Sequence, residues 1–277
     1  MLSCIGKGGG NLLITIPLVV LLPFGALLMS GCSANEAVED TSEEPTTATG
    51  TLAVWNYVAL GDSLAAGTGA SYEGYVNRYA GYLKADTGIQ AKVINLGQNG
   101  LTSPELLDAL RNDPSWRRAV GGDDVLTVNI GLNDLGRAAQ EHENGTFVGA
   151  ADNQDCLREV VATVEGNWNA IFNELLGLRS TNDTIIRAAG LGYTPHLDPE
   201  ATPDGVSSGE LHDPQVFEPY LDEVNRRIAT MSSDNGIPYA EVRLDKGYMS
   251  EDGVHLNDEG YEIIAERLQQ LGYSPLR

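Results

Sequence analysis

The chain has 277 residues, of which 42% are hydrophobic and 20% charged, and this ordinary globular composition excludes a fully disordered or fibrous protein. Acidic residues outnumber basic residues by 39 to 17, which gives a formal charge of −22. A surface this negative repels phosphate backbones, so nucleic-acid binding is not expected.

The first 31 residues have the pattern of an export signal. Lys7 precedes an apolar run over 12–28 that is marginal in length for a membrane-spanning helix and is interrupted by prolines. Ser30-Gly31-Cys32 then resembles the lipobox of bacterial lipoproteins, which implies a lipid on Cys32. The alternatives are a plain anchor helix, or cleavage elsewhere without lipid. We predict a signal peptide over 1–31 and an exported protein anchored to the cell envelope.

Residues 32–50 are predicted to form a disordered acidic linker. The segment carries acidic residues among Ser, Thr, Ala and Pro, and its apolar residues follow no period. Such a tether would hold the domain that follows, at 51–277, clear of a membrane.

From Val54 onward, short apolar runs alternate with segments of helical spacing. The predicted strands are Val54–Leu60, Lys92–Leu96, Asp124–Ile130, Thr184–Ala189 and Pro238–Val242. Predicted helices begin at Ser103, cover Cys156–Leu178, follow the Asp213-Pro214 cap, and run from the Asn257 cap to Gly272. Two long connections, 136–153 and 196–212, are candidate pocket walls. The alternation predicts an α/β fold, a three-layer α/β/α sandwich with a five-stranded parallel sheet.

Polar clusters follow four of the predicted strands, at the ends where open α/β sheets bind ligands. Histidine can take the proton of a serine, and a carboxylate three residues away can orient its imidazole. An Asn amide and backbone N–H groups can stabilise an oxyanion. The clusters that hold these residue types are Gly61-Asp62-Ser63-Leu64, Asn95 to Gly100, Gly131-Leu132-Asn133-Asp134 and Asp252-Gly253-Val254-His255. Their composition suits acyl transfer.

In order and content, these clusters resemble the sequence blocks of the SGNH or GDSL hydrolases over residues 57–260. The resemblance implies a flavodoxin-like SGNH-hydrolase fold and a serine esterase that works through an acyl-enzyme intermediate. It implies Ser63 as the nucleophile, with Asp252 and His255 completing the triad. The implied oxyanion donors are the N–H of Ser63, Gly100 and Asn133, with Gly97 as the competing choice for the glycine.

Each of these residues also has a purely structural interpretation. Ser63 and Asn133 could cap helices, Asp252 could be a turn residue, and the glycines could serve only to allow positive φ angles. Asp62 and Asp134 are interpreted as structural. The histidines at 142, 196 and 212 are interpreted as solvated, because no ligand spacing supports a metal site.

The sequence implies no cofactor and no metal. The expected partner is a small-molecule, glycan or lipid ester, with the membrane engaged through the N-terminal lipid and a monomer as the default. Two enzymatic alternatives are an acyltransferase and a carbohydrate O-acetylesterase that acts on cell-envelope glycans. An alternative from another class is a non-catalytic binding lipoprotein on the same fold.

Overall fold

The computed structural model describes residues 53–145, 152–192 and 214–276. All of them belong to one compact unit. The predicted signal peptide, Cys32, the linker and the connection at 196–212 lie outside the described residues. Within the described ranges, no helix is both long enough and apolar enough to cross a membrane.

Strands and helices alternate along the described part of the chain. The strands are β1 (Val54–Gly61), β2 (Gln90–Asn95), β3 (Val125–Asn129), β4 (Ile185–Ala189) and β5 (Tyr239–Ala240). The α-helices are α1 (Ser63–Ala66), α2 (Tyr75–Thr87), α3 (Ser103–Asn112), α4 (Pro114–Gly121), α5 (Leu132–Glu143), α6 (Asp155–Leu178), α7 (Pro214–Asp234) and α8 (Asp258–Gln270). A 3-10 turn covers Lys246–Tyr248.

The strands form one sheet in the order β2-β1-β3-β4-β5, and every pairing is parallel. The direction of winding reverses between β1 and β3. The carboxyl ends of these two strands therefore flank the crevice in which open α/β sheets bind ligands. The predicted five-stranded parallel sheet is confirmed.

Alternate side chains of each strand face opposite layers of helices, as the pleat requires. Val58 and Leu60 pack into the core formed with α3 to α7. Tyr57 and Ala59 pack into the core formed with α1, α2 and α8. Each large apolar side chain buried in this way contributes about 1.5–3 kcal/mol relative to exposure. The two cores give the predicted three layers.

The predicted long connection at 136–153 is wrong in its first part, because α5 continues to Glu143. Leu135, Ala138 and Ala139 are buried at helical spacing and anchor that helix. The surrounding polar residues and Gly136 obscured this short apolar stripe. The fifth strand is also shorter than predicted, since only Tyr239 and Ala240 pair with β4 at the sheet edge.

Arg187 is a buried cation in β4, only 2% exposed. Its Nη1 donates to the carbonyl of Ile186 at 2.9 Å, and its Nη2 donates to the carbonyls of Gly272 and Ser274, both at 2.9 Å. Burial lowers the pKa of Arg187 from its ordinary value. These bonds tie the segment after α8 to the sheet.

Candidate active site

The candidate nucleophile lies at the first turn after β1. Ser63 is the first residue of α1 and is 8% exposed. Its N–H belongs to the helical turn whose donors have no intrahelical acceptor. A glycine is needed two residues before Ser63, because a Cβ at Gly61 would overlap the carbonyl oxygen of Asn129 in β3. The close approach of β1 and β3 at Gly61 thus fixes the position of the turn that carries Ser63.

Asp62 caps the same turn from a buried position. It is 1% exposed, and its Oδ1 accepts a hydrogen bond from the Leu64 N–H at 3.0 Å. Its Oδ2 has no hydrogen-bond partner among the described residues. Burial raises the pKa of Asp62 to about 7; the bond from Leu64 opposes this shift, and the charge of Asp134 adds to it. The geometry agrees with the structural interpretation of this residue.

The loop after β2 packs against α1. The Asn95 amide donates to the Ala65 carbonyl at 2.6 Å, and a Cβ at Gly97 would overlap the backbone of Ala66. The Gly97 N–H itself donates to the Asn95 side chain at 2.9 Å. Gly100 differs from Gly97, because its φ is +75° and its N–H has no acceptor in the described part of the chain.

The first turn of α5 holds the far end of this loop. Asn133 donates one hydrogen of its amide to the Leu101 carbonyl at 2.9 Å, which leaves the second hydrogen of the amide available. Asp134 accepts from the Ser103 N–H at 2.8 Å and from the Ser103 hydroxyl at 2.7 Å. Arg137 donates to the Gly100 carbonyl at 3.0 Å. The sequence indicates Ser103 only as a helix start and does not single out Arg137, because neither belongs to a motif.

Asp252 and His255 are in direct contact. The distance from His255 Nδ1 to Asp252 Oδ2 is 2.7 Å. The other oxygen, Oδ1, accepts from the Ser250 hydroxyl at 2.8 Å, the Val254 N–H at 2.9 Å and the His255 N–H at 2.8 Å. Burial alone would raise the pKa of Asp252, but these hydrogen bonds outweigh it and hold the pKa well below its ordinary value. The carboxylate is therefore an acceptor, and Nδ1 is the donor.

The serine turn and the histidine loop touch through Gly69. A Cβ at this position would lie 2.7 Å from the His255 Cβ and 2.8 Å from the Leu256 carbonyl oxygen. The φ of Gly69 is +90°, a second reason for glycine here. Over the described ranges, the structure brings Asp252 and His255 into hydrogen-bond contact. It also packs Gly69, in the segment that follows α1, against His255. It has no hydrogen bond between Ser63 and His255.

Other sequence candidates lie apart from these loops or outside the described residues. His142 is a partly exposed residue near the end of α5, and its Nδ1 lies 2.7 Å from the Asn153 carbonyl oxygen. His196, His212 and Cys32 are not described. A cavity of about 380 Å³ between α7 and β5 is lined by Asn225 and Tyr239, among others, and by none of the candidate residues. Within the described ranges, no group of His, Cys, Asp and Glu is arranged to hold a metal ion.

Comparisons with known proteins identify the family and agree with the fold. Residues 59–263 match the model of the GDSL-like lipase/acylhydrolase family. A curated relative, the spore germination lipase LipC of Bacillus licheniformis, is 27% identical over 225 residues, covering 79% of this chain and 97% of the relative. Two solved structures share the fold. A lipase from goat rumen metagenome has a TM-score of 0.63 at 24% identity, covering 80% of this chain and all of the other. An acetyl xylan esterase variant from Geobacillus stearothermophilus has a TM-score of 0.54 at 17% identity, covering 80% and 97%.

Proposed function

Because the chain belongs to the GDSL-like lipase/acylhydrolase family, it is a serine ester hydrolase, and we propose that Ser63, His255 and Asp252 are its catalytic triad. The observation that carries the proposal is the 2.7 Å bond from His255 Nδ1 to Asp252, because it leaves Nε2 as the ring nitrogen that can accept a proton. The packing of Gly69 on His255 supports an approach of the two loops.

In the proposed reaction, Ser63 Oγ attacks the carbonyl carbon of the ester while His255 Nε2 takes the hydroxyl proton. The tetrahedral intermediate collapses, the bond to the leaving alcohol breaks, and His255 returns the proton to the alcohol oxygen. Water then attacks the acyl-enzyme, again losing a proton to His255. Collapse of this second intermediate releases the acid and restores the Ser63 hydroxyl. Asp252 holds the imidazole and stabilises its charged form.

The oxyanion is proposed to accept hydrogen bonds from the Ser63 N–H, the Gly100 N–H and the Asn133 amide. Two contacts support this choice of donors. The N–H of Gly97 is already used by Asn95, whereas that of Gly100 has no acceptor in the described chain, which favours Gly100 over Gly97. The single bond from Asn133 to Leu101 fixes the amide and spares its second hydrogen.

A fluorophosphonate probe tests the triad, because it phosphonylates an activated serine. We expect the wild type to be labelled and to hydrolyse p-nitrophenyl acetate, and Ser63→Ala to do neither. A matched control is Ser115→Ala, another serine in the first turn of a helix, which should keep both properties. Labelling or turnover that survives in Ser63→Ala would exclude the mechanism. A wild type with neither property would favour the binding-lipoprotein alternative.

The substrate is proposed to be a small carboxylic ester, with acyl length and alcohol to be decided by a substrate series. The lipase among the relatives and the acetyl xylan esterase among the structural neighbours suggest the two ends of that series. Long-chain, short-chain and acetylated-sugar esters should be compared at equal enzyme concentration. Adding a sugar acceptor and measuring ester formation would separate the acyltransferase from the hydrolase.

We also propose that the protein is exported and attached to the cell envelope by a lipid on Cys32. The support is the sequence alone, in which Ser30-Gly31-Cys32 follows the apolar run over 12–28. Cys32→Ala should move the protein from the membrane fraction to the soluble fraction without changing turnover of a soluble ester. Unchanged membrane partition would contradict the lipid.

A further inference from the structure

The segment over 68–72, here called the serine-side bridge, follows α1 and contacts the candidate nucleophile. Gly67 ends α1 with a φ of +82°, and the Thr68 N–H donates to the Ser63 carbonyl at 3.0 Å. The Thr68 hydroxyl donates to the Asn99 side chain at 2.7 Å, next to the proposed oxyanion glycine. The start of the bridge is thus attached both to Ser63 and to the loop after β2.

The same bridge lies on the histidine loop. Gly69 packs against His255 and Leu256 closely enough to exclude a Cβ. The Tyr261 hydroxyl, from α8, donates to the Thr68 carbonyl at 2.5 Å. Movement of the bridge would therefore change the position of the serine turn relative to the imidazole.

One carboxylate holds the outer end of the bridge. Asp258 stands three residues after His255, in the first turn of α8. It accepts hydrogen bonds from the Ser71 hydroxyl and from the Tyr72 N–H, the latter at 3.3 Å. It also accepts from Arg78 Nη2 at 3.0 Å. Among the described contacts of α8, those of Asp258 join its first turn to both the bridge and α2.

Arg78 is itself fixed by two further acceptors, one directly after the bridge and one on α8. Its Nε donates to the Glu73 carbonyl at 2.7 Å, and its Nη1 pairs with Glu262 one turn further along α8. The Arg78 side chain is 17% exposed, so solvent screens these interactions less than it would at the surface. Glu262 therefore contributes to the packing of α2 on α8, whereas Asp258 contributes to that packing and also fixes the bridge.

We propose that Asp258 is a positioning residue for ester hydrolysis: it holds the serine-side bridge on the histidine loop and so sets the approach of Ser63 to His255. The inference rests on the proposed triad. Within the described chain no hydrogen bond holds Ser63 to His255, so their alignment depends on the contacts of the loops that carry them. A misplacement of about 1 Å between reacting groups costs roughly 10²-fold in rate.

The test compares Asp258→Ala, Asp258→Asn and Glu262→Ala in hydrolysis of p-nitrophenyl acetate. We expect Asp258→Ala to lower kcat on the order of 10-fold with KM changed less than about twofold, because alignment rather than binding is lost. Asp258→Asn should recover most of kcat, since its amide oxygen still accepts from Ser71 and Tyr72. Glu262→Ala should lower the melting temperature to a similar extent as Asp258→Ala and leave kcat within about twofold of wild type.

Two outcomes would overturn the inference: a kcat for Asp258→Ala equal to wild type, or an equal loss of kcat in Glu262→Ala. If Asp258→Ala fails to fold, Ser71→Ala takes its place, with an expected loss of about threefold in kcat, and an unchanged kcat overturns the inference. Ser63→Ala is measured alongside. Activity in Ser63→Ala would contradict the proposed triad, whereas an inactive Ser63→Ala with a fully active Asp258→Ala would contradict the positioning role alone.

Discussion

Two aspartates, Asp62 beside the candidate nucleophile and Asp252 beside the candidate base, lie in opposite environments. Asp62 precedes Ser63, is 1% exposed, and has one oxygen without a hydrogen-bond partner in the described chain. Asp252 is bonded to His255, has a side chain that is 44% exposed, and accepts bonds from Ser250 and from two backbone N–H groups as well. Burial raises the pKa of Asp62 to about 7, whereas hydrogen bonds outweigh burial and lower the pKa of Asp252.

Asp62 is the neighbour of Ser63 in sequence, but it accepts one hydrogen bond in a buried position, and its pKa is raised. Asp252 accepts several hydrogen bonds, and its pKa is lowered, so it is the aspartate that carries a negative charge beside His255.

Asn133 and Asp134 differ in the same two respects, exposure and hydrogen bonding. Asn133 is partly exposed and keeps one amide hydrogen available, whereas Asp134 is buried and bonded through both oxygens to Ser103. We expect the partly exposed residues to affect turnover and the buried ones to affect folding.

The largest expected effect comes from exchanging the two aspartates, one at a time, for asparagine. Asp252→Asn should lower kcat by roughly 10³–10⁴-fold, because an amide no longer holds the imidazole in the tautomer that accepts the serine proton. Asp62→Asn should lower kcat far less, because its oxygen can still cap Leu64. Steady-state kinetics on one ester would measure both. Equal losses in the two variants would remove the distinction between them.

The second effect tests the contrast between Asn133 and Asp134. Asn133→Ala should lower kcat by about 10²–10³-fold while the melting temperature stays close to wild type, because one oxyanion donor is lost. Asp134→Asn should destabilise the fold by about 1–3 kcal/mol, because a buried bond to Ser103 is weakened. Kinetics and thermal melts on the same preparations would measure both. A stability loss without a kinetic loss in Asn133→Ala would contradict its role as a donor.

The third effect concerns pH. Between pH 4 and pH 7 the unfolded chain has released the proton of Asp62 while the folded chain retains it, so this residue lowers stability as pH rises. Asp62→Asn does not titrate there, and relative to wild type it should gain up to about 4 kcal/mol in free energy of unfolding between pH 4 and pH 8. Denaturant unfolding at both pH values would measure the gain. The pKa of Asp123 is raised in a similar way, but Asp123 is present in both proteins, so its contribution cancels when wild type is subtracted from Asp62→Asn. A difference that does not change with pH would contradict a buried, protonated Asp62.

The smallest effect is the opposite pH dependence of Asp252. Its lowered pKa stabilises the folded state above its ordinary value of 3.8, and this contribution is lost as pH falls below that value. The contribution should be below about 1 kcal/mol, because solvent screens a side chain this exposed. Unfolding of wild type and Asp252→Asn at pH 6 and pH 3 should show a gap that narrows in acid. A difference in free energy of unfolding that grows at pH 3 would contradict the lowered pKa of Asp252.

The sequence predicted the parallel sheet and the contact between Asp252 and His255, because both depend on local patterns. Apolar runs located the strands, and the spacing of Asp252 and His255 predicted their contact. The helix α5 was missed because a stripe of two alanines and one leucine is a weak signal. The contacts of Asp258 with Ser71 and Arg78 were also missed, because they depend on how α2 packs on α8. The catalytic roles themselves remain predictions.

The buried guanidinium of Arg187 has a practical consequence for anyone who shortens this protein. Its bonds to the carbonyls of Gly272 and Ser274 mean that the residues after the last helix serve as ligands for a charge inside the sheet. A truncation that removes these residues would leave the Arg187 charge buried without two of its hydrogen-bond acceptors. It should give insoluble product even though every motif residue is kept. An affinity tag should therefore follow residue 277 rather than replace this tail.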